Sequence, residues 1–399
     1  MTHPGQCRGW VSRTLLPAAL LSLALAALLI PSQAATRSKR PATFTLLHSF
    51  TAGKDGAYPY TGLIADGLGN YYGTTQSGGS SNSGVVFKIH TSGKETILHS
   101  FGGQGDGAYP FAALTRDATG NLYGTTAYGG SSGNGVVFKV SKTGAETVLY
   151  NFAGGTSDGC NPFGAVIRDT AGNLYGTTEF CGAAGYGTVF EVDTKGSETV
   201  LHSFTGTDGA HPLWTSLRMD ASGNLYGVTD EGGASNIGVV YELSSSGTLT
   251  VLHSFAGGTA DGCNPFGPPV LDTSGNLYGT AEFCGSDDKG VVWKLSSSGT
   301  ETILHNFAGL ANDGAYPGGG VILDAQGNLY GDTEGGDALG CGTVYTLTPT
   351  GTLSLLHGFV GPDGQLPFGN VSRDSTGSLY GTTFAGGKDG YGTVWKVTP

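Results

Sequence analysis

The chain has 399 residues, of which 72 are glycine and 16 proline, while 38% are hydrophobic and only 13% charged. That apolar share is too high for a disordered chain, and glycine does not recur at every third position as collagen requires. A formal charge of −12, with no arginine-rich stretch to offset it, repels phosphate backbones and excludes nucleic acid as an expected partner. Composition leaves a turn-dense, all-β protein.

At the N-terminus, Arg8 and Arg13 precede an apolar run from Leu15 to Ile30, and Ser32-Gln33-Ala34 offers small residues at a cleavage position. The run is interrupted by Pro17 and falls short of the roughly 20 residues a membrane span needs. Residues 1–34 are therefore expected to be a signal peptide, with an uncleaved anchor as the alternative, and residues 35–42 a linker. Loss of the leader removes two arginines and no acids, taking the formal charge from −12 to −14. The mature chain is expected to be exported, either secreted or periplasmic.

From Thr43 onward the sequence repeats. The string Asn-Leu-Tyr-Gly-Thr-Thr at 121–126 recurs with small changes, its tyrosines falling at 72, 123, 175, 226, 278, 330 and 380. A Leu-His-Ser-Phe string ends at Phe50, Phe101, Phe152, Phe204, Phe255, Phe307 and Phe359. Between them lie seven Asp-Gly-x-x-Pro and seven Gly-Val-Val-Phe-like elements. One unit parses into strands at Phe111–Thr115, Leu122–Thr126, Val136–Val140 and Thr147–Phe152. Each is a β-branched or aromatic run bounded by Gly, Asp, Asn or Ser. Four strands in about 50 residues match a propeller blade.

The last unit ends after its third strand at Trp395-Lys396-Val397, and the segment 43–50 precedes the first Asp-Gly-x-x-Pro with no blade of its own. Pairing the two closes the ring and leaves no open edge there. The expected fold is a seven-bladed β-propeller over 43–399, four antiparallel strands per blade, completed by the N-terminal strand.

Cysteines agree with this arrangement. Cys160 and Cys263 lie in Asp-Gly-Cys-Asn-Pro loops, and Cys181 and Cys284 lie 21 residues further on, after the second strand. Units lacking one cysteine of the pair lack the other, and both loops emerge at one end of a blade. Disulfides Cys160–Cys181 and Cys263–Cys284 are expected, as export permits. With Cys7 removed in the leader, Cys341 is left unpaired, as a small buried residue rather than a nucleophile.

The pattern Asp-x-x-Gly-Asn-Leu-Tyr-Gly-Thr-Thr, then Gly-Gly, Gly-Val-Val-Phe-Lys and Glu-Thr-x-Leu-His-Ser-Phe, resembles the GloVer tandem repeat of exported, choice-of-anchor bacterial proteins over about 43–399. Its Asp-x-x-Gly-Asn-x-Tyr core is similar, less specifically, to NHL, SBBP and virginiamycin-lyase-type propellers. The resemblance implies an exported propeller-like array and implies no activity. It also implies a C-terminal anchoring signal, which Val397-Thr398-Pro399 does not provide, so secretion or periplasmic residence is the expectation.

A residue present in every unit is expected to serve the blade. Six histidines, at 48, 99, 202, 253, 305 and 357, share one place in the fourth strand, with Tyr150 in the seventh; they read as packing, not metal ligands. The aspartates before Asn-Leu-Tyr and those of Asp-Gly are expected to bond their own turns.

Function is expected where the symmetry breaks. Directly after Thr-Thr, four consecutive units carry an acid, namely Glu179, Asp230, Glu282 and Glu334. This arc could take Ca²⁺ or a cationic or polyhydroxylated ligand, or could be a solvated rim; no other cofactor is expected. The residue before each loop proline includes Tyr58, Tyr109, His211 and Tyr316. Placed near the channel mouth, such amphipathic rings suit sugar or peptide contacts. His211 lies beside Trp214 in the one unit with an extra residue. No nucleophile elbow, HExxH or phosphate loop occurs. The expected protein is a monomeric binding module for a glycan, peptide or cell-envelope partner. The alternatives are a channel-mouth lyase or glycan hydrolase and a purely structural envelope protein.

Overall fold

A computed structural model describes residues 41–102, 105–310 and 312–399. The expected leader lies outside the described residues. Among these residues there is no helix, so none is long and apolar enough to cross a membrane.

Seven four-stranded antiparallel sheets form a closed β-propeller. Blade 1 contains Ile64–Ala65, Asn70–Thr75, Val85–His90 and Glu95–Ser100. Blades 2 to 6 follow in chain order. Blade 7 joins Ser372–Arg373, Leu379–Thr383 and Thr393–Thr398 to the N-terminal Thr43–Ser49. The closing ladder sets Phe44 opposite Val397, Leu46 opposite Trp395 and His48 opposite Val394. The ring thus shuts with the first strand as its last outer ribbon.

In blade 2 the second and third strands fall at Leu122–Thr126 and Val136–Val140, as the sequence predicts, and the fourth at Glu146–Asn151. The innermost strand differs. Phe111–Thr115 is expected, but only Thr115–Arg116 pairs. The reason is crowding at the axis, where inner segments of neighbouring blades press on one another. A Cβ on Gly369 would stand 2.5 Å from Gly62 N, and one on Gly164 would strike Thr215 O.

The repeated residues have physical assignments. The Gly of Leu-Tyr-Gly lies under the third-strand aromatic of its own blade; a Cβ on Gly124 would come 2.7 Å from Phe138 Cζ. The first Thr of Thr-Thr donates across to the next blade, Thr74 Oγ1 to Ala112 O at 2.9 Å and Thr125 Oγ1 to Gly164 O at 2.9 Å. The lower turn is held by its aspartate: Asp117 accepts from Asn121 N, Asn121 Nδ2 and Tyr123 OH. The core lies between blades. One cluster joins Phe50, Tyr380 and Val394 of blade 7 to Leu63, Tyr71, Val85 and Phe87 of blade 1. A bulge in every outer strand, such as that opposite Val86/Phe87, offsets the ladder by one residue at the Leu-His step. Leu98 packs with the next blade's core.

Candidate functional site

The loops after the second strands and the Asp-Gly-x-x-Pro loops meet at one end of the ring, through bridges such as Ala57 to Ser77 and Ala108 to Tyr128. All seven pre-proline residues there adopt left-handed backbone, with φ between 51° and 58°. Asparagine tolerates that region best among residues with side chains, which suits Asn161 and Asn264. At the other five positions two hydrogen bonds hold it. His211 N donates to Tyr186 O of the preceding blade (3.0 Å), and His211 O accepts from Asp230 N of its own blade (3.2 Å). The backbone duty of this position is therefore structural, and only the side chains are free to vary.

Those side chains stay among the loops. Tyr58 stacks on Phe384 at 5.0 Å, Tyr109 meets Tyr128 at 6.1 Å, and Tyr316 meets Phe283 at 5.7 Å while accepting a hydrogen bond from Lys289 Nζ. His211 places Nδ1 3.2 Å from Glu179 O, between the rings of Phe180 and Tyr186.

The axis itself belongs to the residues just after the proline. Tyr60 stacks on Phe368 at 4.7 Å and, across the ring, on Trp214 at 5.2 Å. Phe111, Phe163 and Phe266 extend this aromatic collar, with centroid separations of 5.0 Å for Phe111–Phe163 and 5.4 Å for Trp214–Phe266. Trp214 reaches the collar through the extra residue of its unit. It sits at φ 49°, an uncommon conformation for a bulky residue, and its Nε1 is buried without a hydrogen-bond partner. Only a narrow recess is left below the collar, lined by Gly62, Ala112, Ala165, Ser216 and Asn370. The collar is missed by the rule that repeated residues serve the scaffold. The signal was present as an aromatic one step after the proline in five units: Tyr60, Phe111, Phe163, Phe266 and Phe368.

The four acids are each half-buried and form an electrostatically linked series, with Glu282 and Glu334 acting on Tyr60 of the collar. Burial and Asp230 push Glu179 up to about 7. Burial and Glu231 push Asp230 to about 6, against the opposing influence of Asn264 and His211. Burial and Asp230 push Glu282 to about 7. Burial and Glu282 push Glu334 to about 9. The Tyr60 hydroxyl is raised by burial and then by Glu334 and Glu282.

Blade 6 is where the collar opens. Pro317 is followed by Gly318-Gly319-Gly320 instead of an aromatic residue. The Glu334 carboxylate folds into the space, where a Cβ on Gly318 would run into it. Beside it, Asp332 replaces the first Thr of Thr-Thr. It is 1% exposed and neither carboxyl oxygen has a hydrogen-bond partner. Burial, reinforced by Glu334, holds its pKa well above the usual carboxylate range. Such perturbed acids cluster preferentially at functional sites.

At the outer edge the fourth-strand histidines meet the Asp-Gly aspartates: His305 to Asp313 and His357 to Asp363, both at 2.9 Å, with Tyr150 OH donating to Asp158 at 3.0 Å. The aspartates also bond their own turns, as Asp158 does with Ala153 N. The pairing of the two motifs was not anticipated from sequence. Cys160–Cys181 and Cys263–Cys284 are disulfides, with Cα separations of 5.4 and 5.5 Å. Cys341 corrects the expectation of an unpaired residue. It is buried as expected, at 1% exposure, yet no cysteine among the described residues is a free thiol. Two disulfides fit an oxidising environment.

The geometry matches what comparison with known proteins finds. The Gloeobacter/Verrucomicrobia repeat matches residues 36–169 and 155–338. The chain belongs to that repeat family. No curated protein matches it. Among solved structures it is similar to a putative 6-phosphogluconolactonase from Bacteroides fragilis, at 17% identity and TM-score 0.51, covering 80% of this chain and 89% of that one. It is also similar to a puromycin-hydrolyzing peptidase from Mycobacterium tuberculosis, at 11% identity and TM-score 0.52, covering 87% of this chain and 53% of that one. A puromycin hydrolase gives 12% identity and TM-score 0.54, covering 84% of this chain and 51% of that one. At these identities the likeness extends to the propeller fold alone.

Proposed function

We propose that this protein is an exported glycan-binding propeller whose site is the channel mouth over blades 3 to 6. The observation that carries the reading is the opening of the aromatic collar at Gly318, where the Glu334 carboxyl replaces a ring. Aromatic faces accept the apolar faces of sugar rings, and convergent polar groups fix orientation. A Glu334 raised to about 9 by burial and Glu282 stays protonated at neutral pH and can both donate to and accept from a hydroxyl. That favours a polyhydroxylated ligand over a cation, which would want the carboxylates ionised. Binding of the full chain to a panel of neutral and acidic oligosaccharides tests the reading. Trp214→Ala and Glu334→Gln should each weaken binding at least tenfold; no binding across the panel, or unchanged binding by both variants, would overturn it.

A second reading is a glycan hydrolase or lyase. It is favoured by two acids in one mouth, Glu282 at about 7 and Glu334 at about 9, since separated carboxyl pKa values mark acid and base roles. Turnover of a bound oligosaccharide, abolished in Glu334→Gln, would select it over simple binding.

A further inference from the structure

The outer-edge histidine–aspartate pairs are not all equivalent. Five are direct hydrogen bonds, His99, His202, His253, His305 and His357 each lying 2.9–3.2 Å from its aspartate. His48 is different. Its Nε2 stands 3.5 Å from Asp55 Oδ2 and 3.6 Å from Glu95 Oε2, is buried, and has no hydrogen-bond partner. Glu95 Oε1 is likewise buried and unpartnered. A second histidine also has a glutamate beside its pair: His253 Nε2 is hydrogen-bonded to Asp261, with Oδ2 at 3.2 Å, Glu301 Oε2 stands at 3.7 Å, and Glu301 Oε1 is buried and unpartnered. In both clusters the three ligand atoms lie within 4.8 Å of one another.

The third member decides which junctions can form such a cluster. It comes from the start of the next blade's outer strand, where Glu95 and Glu301 have Leu249, Leu353 and Phe44 as counterparts. Glu198 occupies the same place but faces Tyr150, which offers no ring nitrogen. Glu146 lies opposite His99 without completing a cluster among the described residues.

We propose that His48, Asp55 and Glu95, and independently His253, Asp261 and Glu301, are two binding sites for a divalent transition-metal ion, with Zn²⁺ foremost. Tetrahedral zinc with bonds of about 2.0–2.2 Å sets ligand-to-ligand edges of about 3.3–3.6 Å, and the histidine-to-carboxylate distances of 3.2–3.7 Å fall around that range. One imidazole and two carboxylates neutralise the ion and leave a fourth position for water. Calcium, which takes six to eight oxygens, is poorly served. Both aspartates are oriented from behind, Asp55 by Thr51 N and Oγ1, Asp261 by Ala256 N and Gly262 N, as ligands usually are. Burial followed by Asp55 raises Glu95 to about 8, and burial followed by Asp261 raises Glu301 to about 7. The first site also has a mechanical consequence. His48 belongs to the outer strand of blade 7 and Glu95 to blade 1, so an ion there would bridge these two neighbouring blades.

The test uses the full, untagged chain, stripped with chelator, loaded with ZnCl₂ and assayed for bound zinc. Two equivalents per chain are expected, one in Glu95→Leu, one in Glu301→Leu and none in the double variant, with Glu146→Leu retaining both. Leucine is chosen because Leu249 and Leu353 show that the blade accepts it. Zinc should raise the Tm of the wild type and not of the double variant. Cobalt substituted in the wild-type chain should give the intense visible absorption of a tetrahedral site, a readout independent of how the variants fold. A wild type that holds no zinc, a double variant that keeps two equivalents, or only the weak absorption of octahedral cobalt would overturn the proposal.

Discussion

Blades 2 and 6 share one ladder, yet they treat the channel in opposite ways. Gly124 faces Phe138 in the first, and Gly331 faces Tyr345 in the second, at equivalent rungs. In blade 2, Phe111 joins the collar, Thr125 donates to Gly164 O, and Ala127 is fully buried. The corresponding residues in blade 6 are Gly318, Asp332 and Glu334. Three substitutions turn a sealed, apolar sector into one with two carboxyls and no aromatic cover. The difference teaches that the backbone ladder and the interblade cores are sufficient to hold a blade, so the axis-facing positions are open to other chemistry.

Converting blade 2 toward blade 6 should produce the largest effect. Thr125→Asp removes the bond to Gly164 O and buries an unpaired acid, so stability should fall by about 3–5 kcal/mol at pH 8 and by less at pH 5. Denaturant unfolding at the two pH values checks this; equal losses at both would break the comparison. Next in size is the staple that blade 2 lacks. Ala108 stands where Cys160 stands in blade 3, and Cys160→Ser with Cys181→Ser should cost about 3 kcal/mol by the loop-closure argument, read from the same unfolding curves. The reverse conversion, Asp332→Thr, should stabilise by about 1–2 kcal/mol at pH 8, because it replaces an unpaired buried acid with the donor used in other blades. No gain would mean that Asp332 has a partner in solution.

A further effect is a pH slope. Glu334, Glu282 and Glu179 have folded pKa values of about 9, 7 and 7 against an ordinary 4.5. The folded chain therefore holds more protons than the unfolded one across that interval, and their stabilisation is complete below about 4.5 and lost as pH rises to 9. The turn aspartates act oppositely. Asp66 and Asp220, whose ordinary value is 3.8, are lowered, so their contribution is lost as pH falls below that value. For both, burial opposes the shift and hydrogen bonds from Asn70 and Asn224 outweigh it. Tm should peak near pH 5 and decline toward pH 9, and Glu334→Gln should flatten the alkaline side. A Tm that rises from pH 5 to 9 would contradict the blade 6 electrostatics.

The strand count, the closing seam, the shared loop end and both disulfides were legible because each is a relation repeated along the chain. Thr43–Ser49 lacked a blade and the last unit lacked a strand; Cys160 and Cys181 recurred together as Cys263 and Cys284. The acid arc was legible as well, since Glu179, Asp230, Glu282 and Glu334 follow one landmark. The collar was obscured by its own regularity, and Asp332 by its burial within a strand string that varies elsewhere, as at Val228 and Ala281.

Local sequence by itself determined the blade: its alternation, its turn aspartates and the glycines that make room for the third-strand rings. Those choices act within a few residues or across one hairpin, so a single repeat contains them. Only the tertiary structure decided what meets at the axis and between outer strands. Tyr60 and Trp214 come from blades 1 and 4, and His48 and Glu95 from blades 7 and 1. Curvature around a sevenfold ring sets those distances, and no spacing along the chain encodes them.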